Sequence, residues 1–206
     1  MKILLFIFLM LHCNPSRAKI SNSRFRMFAS ETEKSFDTTD DGFFTETYSV
    51  EGFPFRMMVR QVPGDGNCLF HSISACLEYA NTFNHTSLRL QNIFPKSLAL
   101  RKIAVDYLME DFERLLYLEG GETVSTKELL DVVSAQYNLT VIEYCTQMKE
   151  PSVWGGGPEI VALSNFYKRP IHVYELAQKG KKFCFRRMAC FGSPAFEHIS
   201  APIHIL

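Results

Sequence analysis

A cysteine stands where a glycine-rich turn gives way to an apolar, helix-like run. Gly64 and Gly66 allow backbone conformations that residues with side chains resist, so the chain can turn sharply before Cys68. Apolar residues then recur at helical spacing, namely Leu69, Phe70, Ile73, Cys76, Leu77 and Ala80. The helix dipole favours a thiolate at a helix N-terminus, and free turn amides suit a developing oxyanion. The pattern indicates a cysteine nucleophile, and an unreactive buried cysteine is the alternative.

Two blocks of the sequence resemble the signature of the ovarian tumour (OTU) family of cysteine proteases, which remove ubiquitin from proteins. The first block is Asp-Gly-Asn-Cys-Leu-Phe at residues 65–70. The second begins with Trp-Gly-Gly at residues 154–156, continues to Glu159, and is followed by Pro-Ile at residues 170–171. The two blocks occur in the order that the family shows. The resemblance covers the chain from about Phe55 to the C-terminus.

The resemblance implies a papain-like mechanism in which Cys68 attacks the isopeptide carbonyl at the C-terminus of ubiquitin. The backbone amides of Gly66, Asn67 and Cys68 would form the oxyanion hole. Asp65 matches an acidic position that the family counts with its active site. Alternatively, an aspartate in such a turn bonds nearby amides and only shapes the loop. Ubiquitin and ubiquitinated proteins are the implied partners, and no cofactor is implied.

The second block supplies the expected substrate-binding residues, Trp154, Gly155 and Gly156. Trp154 is either a wall of the substrate groove or an anchor of the core. The glycines present no side chains, so a ubiquitin tail that ends in two glycines has room to pass close to the backbone. We therefore expect a narrow channel at this block.

The general base of the family is a histidine near the end of the domain, before an aromatic residue. This chain contains no His-Tyr or His-Phe pair, and its closing Pro-Ile-His-Ile-Leu resembles the strand that precedes that histidine. The sequence therefore predicts an OTU-like domain over residues 53–206, apparently C-terminally truncated, that lacks its final catalytic-histidine strand. The alternative to a thiol-dependent deubiquitinase is a catalytically inactive ubiquitin-binding pseudoenzyme.

No catalytic role is expected for four histidines of the domain. His71 lies three residues after Cys68 on the same helical run, which predicts a polar residue at the helix surface or edge. His172 alternates within a strand-like segment and is predicted to face solvent. His198 and His204 are nearest in sequence to the expected base, and we expect that neither serves.

The spacing of cysteines and histidines near the C-terminus argues against a structural zinc site. Cys184, Cys190, His198 and His204 are farther apart than the short ligand pairs of zinc knuckles. Packing in a strand core is the expected role of Cys184. We therefore predict no metal site, and reduced thiols are the default for a chain without a disulfide framework.

Composition is typical of a soluble folded domain. The 22 basic residues balance the 22 acidic ones, and 47% of the chain is hydrophobic. Nucleic-acid binding is not expected, because a phosphate backbone selects for clustered lysine and arginine. The apolar run from Ile3 to Leu11 is shorter than the roughly 20 residues of a bilayer-spanning helix, so no stable membrane span is expected.

The N-terminal region divides into two segments. Residues 1–18 have the layout of a secretory signal peptide or of an alternative start, with Lys2 before the apolar run and small residues after it. Residues 19–52 read as a polar and acidic linker. The family resemblance implies a cytoplasmic or nuclear protein, whereas a targeting signal would imply the secretory pathway or an organelle.

Helices come first and strands later, which predicts an α+β fold. The resemblance refines this to the papain-like OTU fold, with helices packed on a small central sheet. A long helix is predicted to end at Gly120-Gly121, and a capping box at Ser125–Glu128 to open a helix that runs through Tyr137. Further predicted elements are a helix over residues 159–167 and strands over residues 170–176, 183–189 and 203–206.

Overall fold

The computed structural model describes residues 5–8, 26–30, 37–38, 44–50, 56–82, 89–179 and 182–206. Most of the predicted signal-like segment and much of the predicted linker lie outside these residues. The division of the chain at residues 18 and 52 therefore stays a prediction.

Five α-helices lie within the described residues. They are α1 (Cys68–Thr82), α2 (Leu90–Glu110), α3 (Thr126–Gln136), α4 (Val141–Met148) and α5 (Gly157–Tyr167). Capping boxes open α3 and α4, because Ser125 and Thr140 each exchange hydrogen bonds with the glutamate three residues later. No described helix has both the length and the apolar character that crossing a membrane requires.

Ten strands are described, in two sheets. They are β1 (Leu5–Phe8), β2 (Arg26–Ser30), β3 (Asp37–Thr38), β4 (Phe44–Val50), β5 (Arg56–Gln61), β6 (Leu115–Tyr117), β7 (Thr123–Ser125), β8 (Ile171–Lys179), β9 (Lys182–Phe191) and β10 (Ile203–Ile205). Within the described residues the larger sheet has the order β1-β5-β4-β2-β9-β8-β10, with β3 on β4, and β6 pairs with β7. The pair of β8 and β10 is parallel, and the other described pairs are antiparallel.

The core forms where α1, α2 and α5 pack together and against the C-terminal strands. Phe70 and Ile73 on α1 are fully buried, and so is Leu163 on α5. Cys76 on α1 donates a weak hydrogen bond from Sγ to the His204 carbonyl oxygen of β10, at 3.7 Å. The helices thus pack on a sheet, and the predicted α+β fold class is confirmed.

The predicted end of the long helix at Gly120-Gly121 is wrong. α2 already ends at Glu110, and Leu115 to Ser125 form a hairpin of β6 and β7. Leu115 is 63% exposed whereas Leu116 is fully buried, an alternation that fits a strand and not a helix face. Gly120 and Gly121 take positive φ angles of 69° and 92° and form the turn between the two strands.

Several described elements were not predicted from the sequence. Strands β2, β3 and β4 lie within residues 19–52, where only polar patterning was visible, and β4 pairs with β5 from Phe44 to Ser49. Helix α4 was not predicted, because its eight residues are too few to show a clear helical period. The predicted helix at residues 159–167 and the three predicted C-terminal strands are present as α5, β8, β9 and β10.

Candidate functional site

The predicted nucleophile is the first residue of α1, directly after the glycine turn. Cys68 is buried, with 2% of its surface exposed. Gly66 has a φ of +91°, and a Cβ added there would lie 2.3 Å from the carbonyl oxygen of Ser152. The turn therefore requires glycine for two reasons, its backbone conformation and the close approach of the loop that precedes Trp154.

Both carboxylate oxygens of Asp65 are used to hold the turn. Oδ1 accepts a 2.8 Å hydrogen bond from the backbone N–H of Asn67, and Oδ2 lies 3.1 Å from Nε2 of His71. These contacts match the interpretation of Asp65 as a residue that shapes the loop. Because the Asn67 amide is bonded to Asp65, it is not free to stabilise an oxyanion in this conformation. The predicted roles of the Gly66 and Cys68 amides stay predictions.

His71 is fully buried, so its predicted place at the helix surface is wrong. Its ring lies between α1 and α2, with Nδ1 at 2.8 Å from Oγ of Ser97 and Nε2 toward Asp65. Ser97 Oγ also donates to the carbonyl oxygen of Ile93 at 2.9 Å. His71 therefore links the nucleophile turn to the second helix, and its two nitrogens are occupied by these partners.

Arg101 is a residue of the site that the sequence analysis missed. Its side chain is 1% exposed, and its guanidinium lies 4.3 Å from the centroid of the Phe70 ring. The guanidinium donates hydrogen bonds to Asn67 Oδ1 at 2.9 Å and to the carbonyl oxygens of Met148 at 2.8 Å, Gly66 at 2.8 Å, Pro151 at 3.2 Å and Val153 at 2.7 Å. One buried cation thus joins the nucleophile turn to the loop before Trp154.

A signal for Arg101 was present in the sequence. Arg101 lies four residues after Ser97 and four before Val105, and these positions share the buried face of α2. A charged residue on the apolar face of a helix is rarely buried unless it has partners. Its partners lie in two other segments of the chain, which is why spacing alone does not identify them.

The second signature block lies directly beside the first. A Cβ added at Gly64 would lie 3.8 Å from Cη2 of Trp154, and Trp154 is 50% exposed, so the core-anchor interpretation is wrong. A Cβ added at Gly155 would lie 2.9 Å from side-chain atoms of both Leu69 and Phe70. Gly155 is therefore needed so that its backbone can pack against the first turn of α1.

Gly156 differs from its neighbour, because nothing lies within 4 Å of where its Cβ would stand. Its N–H donates a 2.7 Å hydrogen bond to Oε2 of Glu159, and Oε1 of the same carboxyl accepts from the hydroxyl of Tyr144 at 2.7 Å. Glu159 is fully buried, and this burial raises its pKa. The Glu159 carboxyl thereby fixes the N-terminus of α5 while the Gly156 backbone stays open on its other side.

The surroundings of Cys68 favour the neutral thiol. Burial is the largest effect and raises the pKa of the Cys68 thiol, and the negative charge of Asp65 raises it further. The backbone N–H of Leu69 and the positive charge of Arg101 act in the opposite direction and are outweighed. The net direction is opposite to the one expected from the helix dipole alone.

The described histidines are not hydrogen-bonded to Cys68, the predicted nucleophile. Over residues 56–82, 89–179 and 182–206, no hydrogen bond or ion pair joins Cys68 to a histidine.

His172 is 6% exposed, so its predicted solvent-facing position is wrong, and burial lowers its pKa to about 4. Burial also lowers the pKa of His204 to about 3, and its Nδ1 lies 3.2 Å from the hydroxyl of Tyr174. His198 is exposed in a 3-10 turn, and the prediction that neither it nor His204 serves as base remains a prediction.

The assembled site has a thiol, an aromatic wall and an open stretch of backbone. Cys68 begins a helix, Trp154 lies over the turn before it, and Gly156 leaves space beside the backbone. Of these groups, the Cys68 thiol is the one able to attack a carbonyl as a nucleophile once it is ionised.

Comparison with known proteins adds an independent result. The family described as OTU-like cysteine protease matches residues 63–198. Ubiquitin thioesterase otu2 of Schizosaccharomyces pombe is 37% identical over 122 residues, which are 59% of this chain and 34% of that protein. Deubiquitinase OTUD6B of Xenopus laevis is 28% identical over 124 residues, 58% of this chain and 34% of that protein.

The chain spans about a third of the length of these curated relatives, 34% in both cases. Among solved structures, the viral OTU domain protease from Dera Ghazi Khan virus is similar, with 18% sequence identity and a TM-score of 0.39. That comparison covers 79% of this chain and 83% of the viral one.

Proposed function

The chain is a member of the family of OTU-like cysteine proteases, and on this basis we propose that it hydrolyses isopeptide bonds at the C-terminus of ubiquitin in protein conjugates, with Cys68 as the nucleophile. The observation that carries the proposal is the contact between the two signature blocks. The Cys68 turn and the Trp154–Gly156 segment are held together by Arg101 and by the close approach of Gly66 to Ser152. Its relatives from yeast and frog bear the names of a ubiquitin thioesterase and a deubiquitinase.

The shape of the site supports a ubiquitin tail as the substrate. That tail ends in two glycines, which need a channel too narrow for larger side chains. Trp154 offers an exposed aromatic face beside the turn, and the open space at Gly156 leaves its backbone accessible. The tail would lie between these two features and bring its last carbonyl to Cys68.

The chemistry follows the general pattern of thiol acyl transfer. The Cys68 thiolate attacks the isopeptide carbonyl, and the backbone amides of Gly66 and Cys68 stabilise the oxyanion that forms. Collapse breaks the carbon–nitrogen bond, the lysine amine leaves with a proton, and a thioester joins ubiquitin to Cys68. Water then hydrolyses the thioester, which releases the ubiquitin carboxylate and restores the thiol.

A second function is favoured by the surroundings of the thiol. Burial raises the pKa of Cys68, and no described histidine contacts it, so the step that needs a general base lacks a partner among these residues. A protein with this groove and without an effective base would bind ubiquitin and not cleave it. In either case we propose a cytoplasmic or nuclear location, because that is where ubiquitin conjugates are found.

Cleavage of di-ubiquitin by the full chain tests the proposal, with a ubiquitin-binding titration run alongside. Cys68→Ala should abolish cleavage, whereas Cys145→Ala, which removes a buried thiol of α4, should leave it in place. Binding without any cleavage would support the second function. A folded chain that neither binds nor cleaves would contradict both.

A further inference from the structure

A second group of reactive side chains lies on the C-terminal strands. His172 of β8 and Cys190 of β9 are directly paired residues of the antiparallel ladder. Glu197 comes from the 3-10 turn Pro194–His198, which follows β9. One ligand atom of each residue, the imidazole nitrogen, the sulfur and a carboxylate oxygen, lies within 4.8 Å of the other two.

The imidazole of this group has an unused nitrogen. His172 is 6% exposed, and its Nε2 is buried without a hydrogen-bond partner in the described part of the chain. The nearest acceptor recorded for it is Oε1 of Glu197 at 4.0 Å, which is too far for a hydrogen bond. A buried nitrogen without a partner is unfavourable, and a ligand that binds it would remove that cost.

We propose that His172, Cys190 and Glu197 bind a zinc ion through Nε2, Sγ and a carboxylate oxygen, with a water molecule in the fourth position. Nitrogen, sulfur and oxygen ligands of this kind are the ones zinc takes in proteins, and a thiolate with an imidazole disfavours calcium and magnesium. In a tetrahedral zinc site the ligand atoms stand about 3.5 Å apart. The His172 Nε2 to Glu197 Oε1 distance of 4.0 Å is longer than this, so the side chains must move closer together when zinc binds, and the Glu197 side chain is exposed.

The charges around the group are compatible with a cation. Burial keeps the His172 imidazole neutral at physiological pH, and metal binding requires that form. The negative charges of Glu197 and Glu119 lie near Cys190 and raise the pKa of its thiol. The positive charge of Arg187 lowers that pKa. Burial raises the pKa of the Cys190 thiol to about 11, so zinc would displace the thiol proton to solvent as it binds.

This site departs from the expectation that the C-terminal region holds no metal. Zinc-ligand patterns in a sequence depend on short spacings, and His172 is 18 positions before Cys190. Strand pairing brings the two side chains together. Bound zinc would connect β8, β9 and the following turn, at a place separate from the thiol of Cys68.

Cobalt substitution of the reduced, chelator-treated full chain tests the proposal. Co²⁺ in a tetrahedral site with a thiolate ligand gives a sulfur-to-metal charge-transfer band and visible d–d bands, and Zn²⁺ should bleach both. Cys190→Ser should abolish the charge-transfer band, and Cys145→Ser should retain it. Glu197→Gln should weaken Co²⁺ binding by on the order of 10-fold or more, while Glu150→Gln, an exposed control, should not.

Glu197 is exposed, so its variant is expected to fold even where a change at the buried His172 does not. Circular dichroism of each variant checks that fold. The absence of a charge-transfer band in the folded wild-type chain would overturn the proposal. A band that survives Cys190→Ser and disappears in Cys68→Ala would also overturn it, because the metal would then be bound at the nucleophile.

Discussion

Arg101 Nε donates a buried 2.9 Å hydrogen bond to Oδ1 of Asn67, the residue directly before Cys68, the proposed nucleophile. The same guanidinium donates to the carbonyl oxygens of Gly66 and Val153, at 2.8 and 2.7 Å. The two sequence blocks that identify the family are therefore joined by a residue that belongs to neither. The geometry of the site depends on a side chain of α2 as much as on the blocks themselves.

Arg101→Lys should destabilise the protein and disturb the site. A lysine ammonium cannot reproduce the planar set of donors, so several buried carbonyl oxygens would lose their partners. We expect the free energy of unfolding to fall by about 3 kcal/mol or more, measured by urea denaturation. Lys102→Ala, an exposed change at the next residue, should alter it by less than about 0.5 kcal/mol. Equal effects of the two changes would show that the Arg101 contacts do not stabilise the fold.

Gly66→Ala and Gly121→Ala form a matched pair. Both glycines have φ near +91°, but a Cβ at Gly66 would meet Ser152 at 2.3 Å while Gly121 has nothing within 4 Å. The backbone conformation alone should cost Gly121→Ala about 1 kcal/mol of unfolding free energy. Gly66→Ala should cost at least about 2 kcal/mol more, because the loop must also move. Thermal and urea denaturation measure both, and similar losses would argue against the close approach of the two loops.

Gly156→Val tests the channel without a packing clash. The space where its Cβ would stand is empty, so the variant should melt at the wild-type temperature within a few degrees. The added side chain should nevertheless obstruct the ubiquitin tail and weaken ubiquitin binding by at least about tenfold, or 1.4 kcal/mol. Binding is measured by titration with labelled ubiquitin. Unchanged affinity in a folded variant would mean that the tail passes elsewhere.

His172 should make the metal-free protein less stable in acid. Burial and the charge of Arg187 lower its pKa from 6.5 to about 4, so the unfolded chain takes up the proton first as pH falls. Stability is retained above pH 6.5 and is lost between that pH and about 4, by about 3 kcal/mol at 1.36 kcal/mol per pKa unit.

His172→Leu should remove this part of the pH dependence, measured by urea denaturation with a chelator present. His198→Leu, in the exposed 3-10 turn, should keep it. Burial lowers the pKa of His204 to about 3, which adds a loss in the same direction; His198→Leu should keep this loss, and His172→Leu should reduce it because the charge of His172 contributes to the lowering. Parallel pH profiles for wild type and His172→Leu would refute the buried neutral state of His172.

The sequence predicts the nucleophile turn well because its determinants are local. Each of these patterns depends on residues that are close along the chain: the glycine conformation, the helical spacing and the Ser125–Glu128 capping box. Helices α1, α3 and α5 lie where the patterns predict them. The order of the two signature blocks also predicts the family and the fold class.

The misplaced residues are those whose environment is set by distant parts of the chain. His71 is buried against α2, where it contacts Ser97, and His172 is buried with the ring of His204 on β10 at 5.1 Å from its own ring. The burial of Arg101 and the cluster of His172 with Cys190 arise from packing and strand register in the same way. Alternation and helical period describe one element at a time, so they do not report these contacts. The long helix predicted to end at Gly120-Gly121 includes Leu115 and Leu116, because the three residues of strand β6 are too few to reveal the period of a strand.

Reaction of the full chain with ubiquitin that carries a C-terminal electrophile, such as a vinyl methyl ester, tests the central claim most directly. We predict a single covalent adduct, mapped to Cys68 by mass spectrometry, that forms faster as pH rises because burial raises the pKa of the thiol. Cys68→Ala should eliminate the adduct, and Cys145→Ala should not. A folded chain that binds this ubiquitin and forms no adduct, or forms one at another cysteine, would contradict the assignment of Cys68 as the nucleophile.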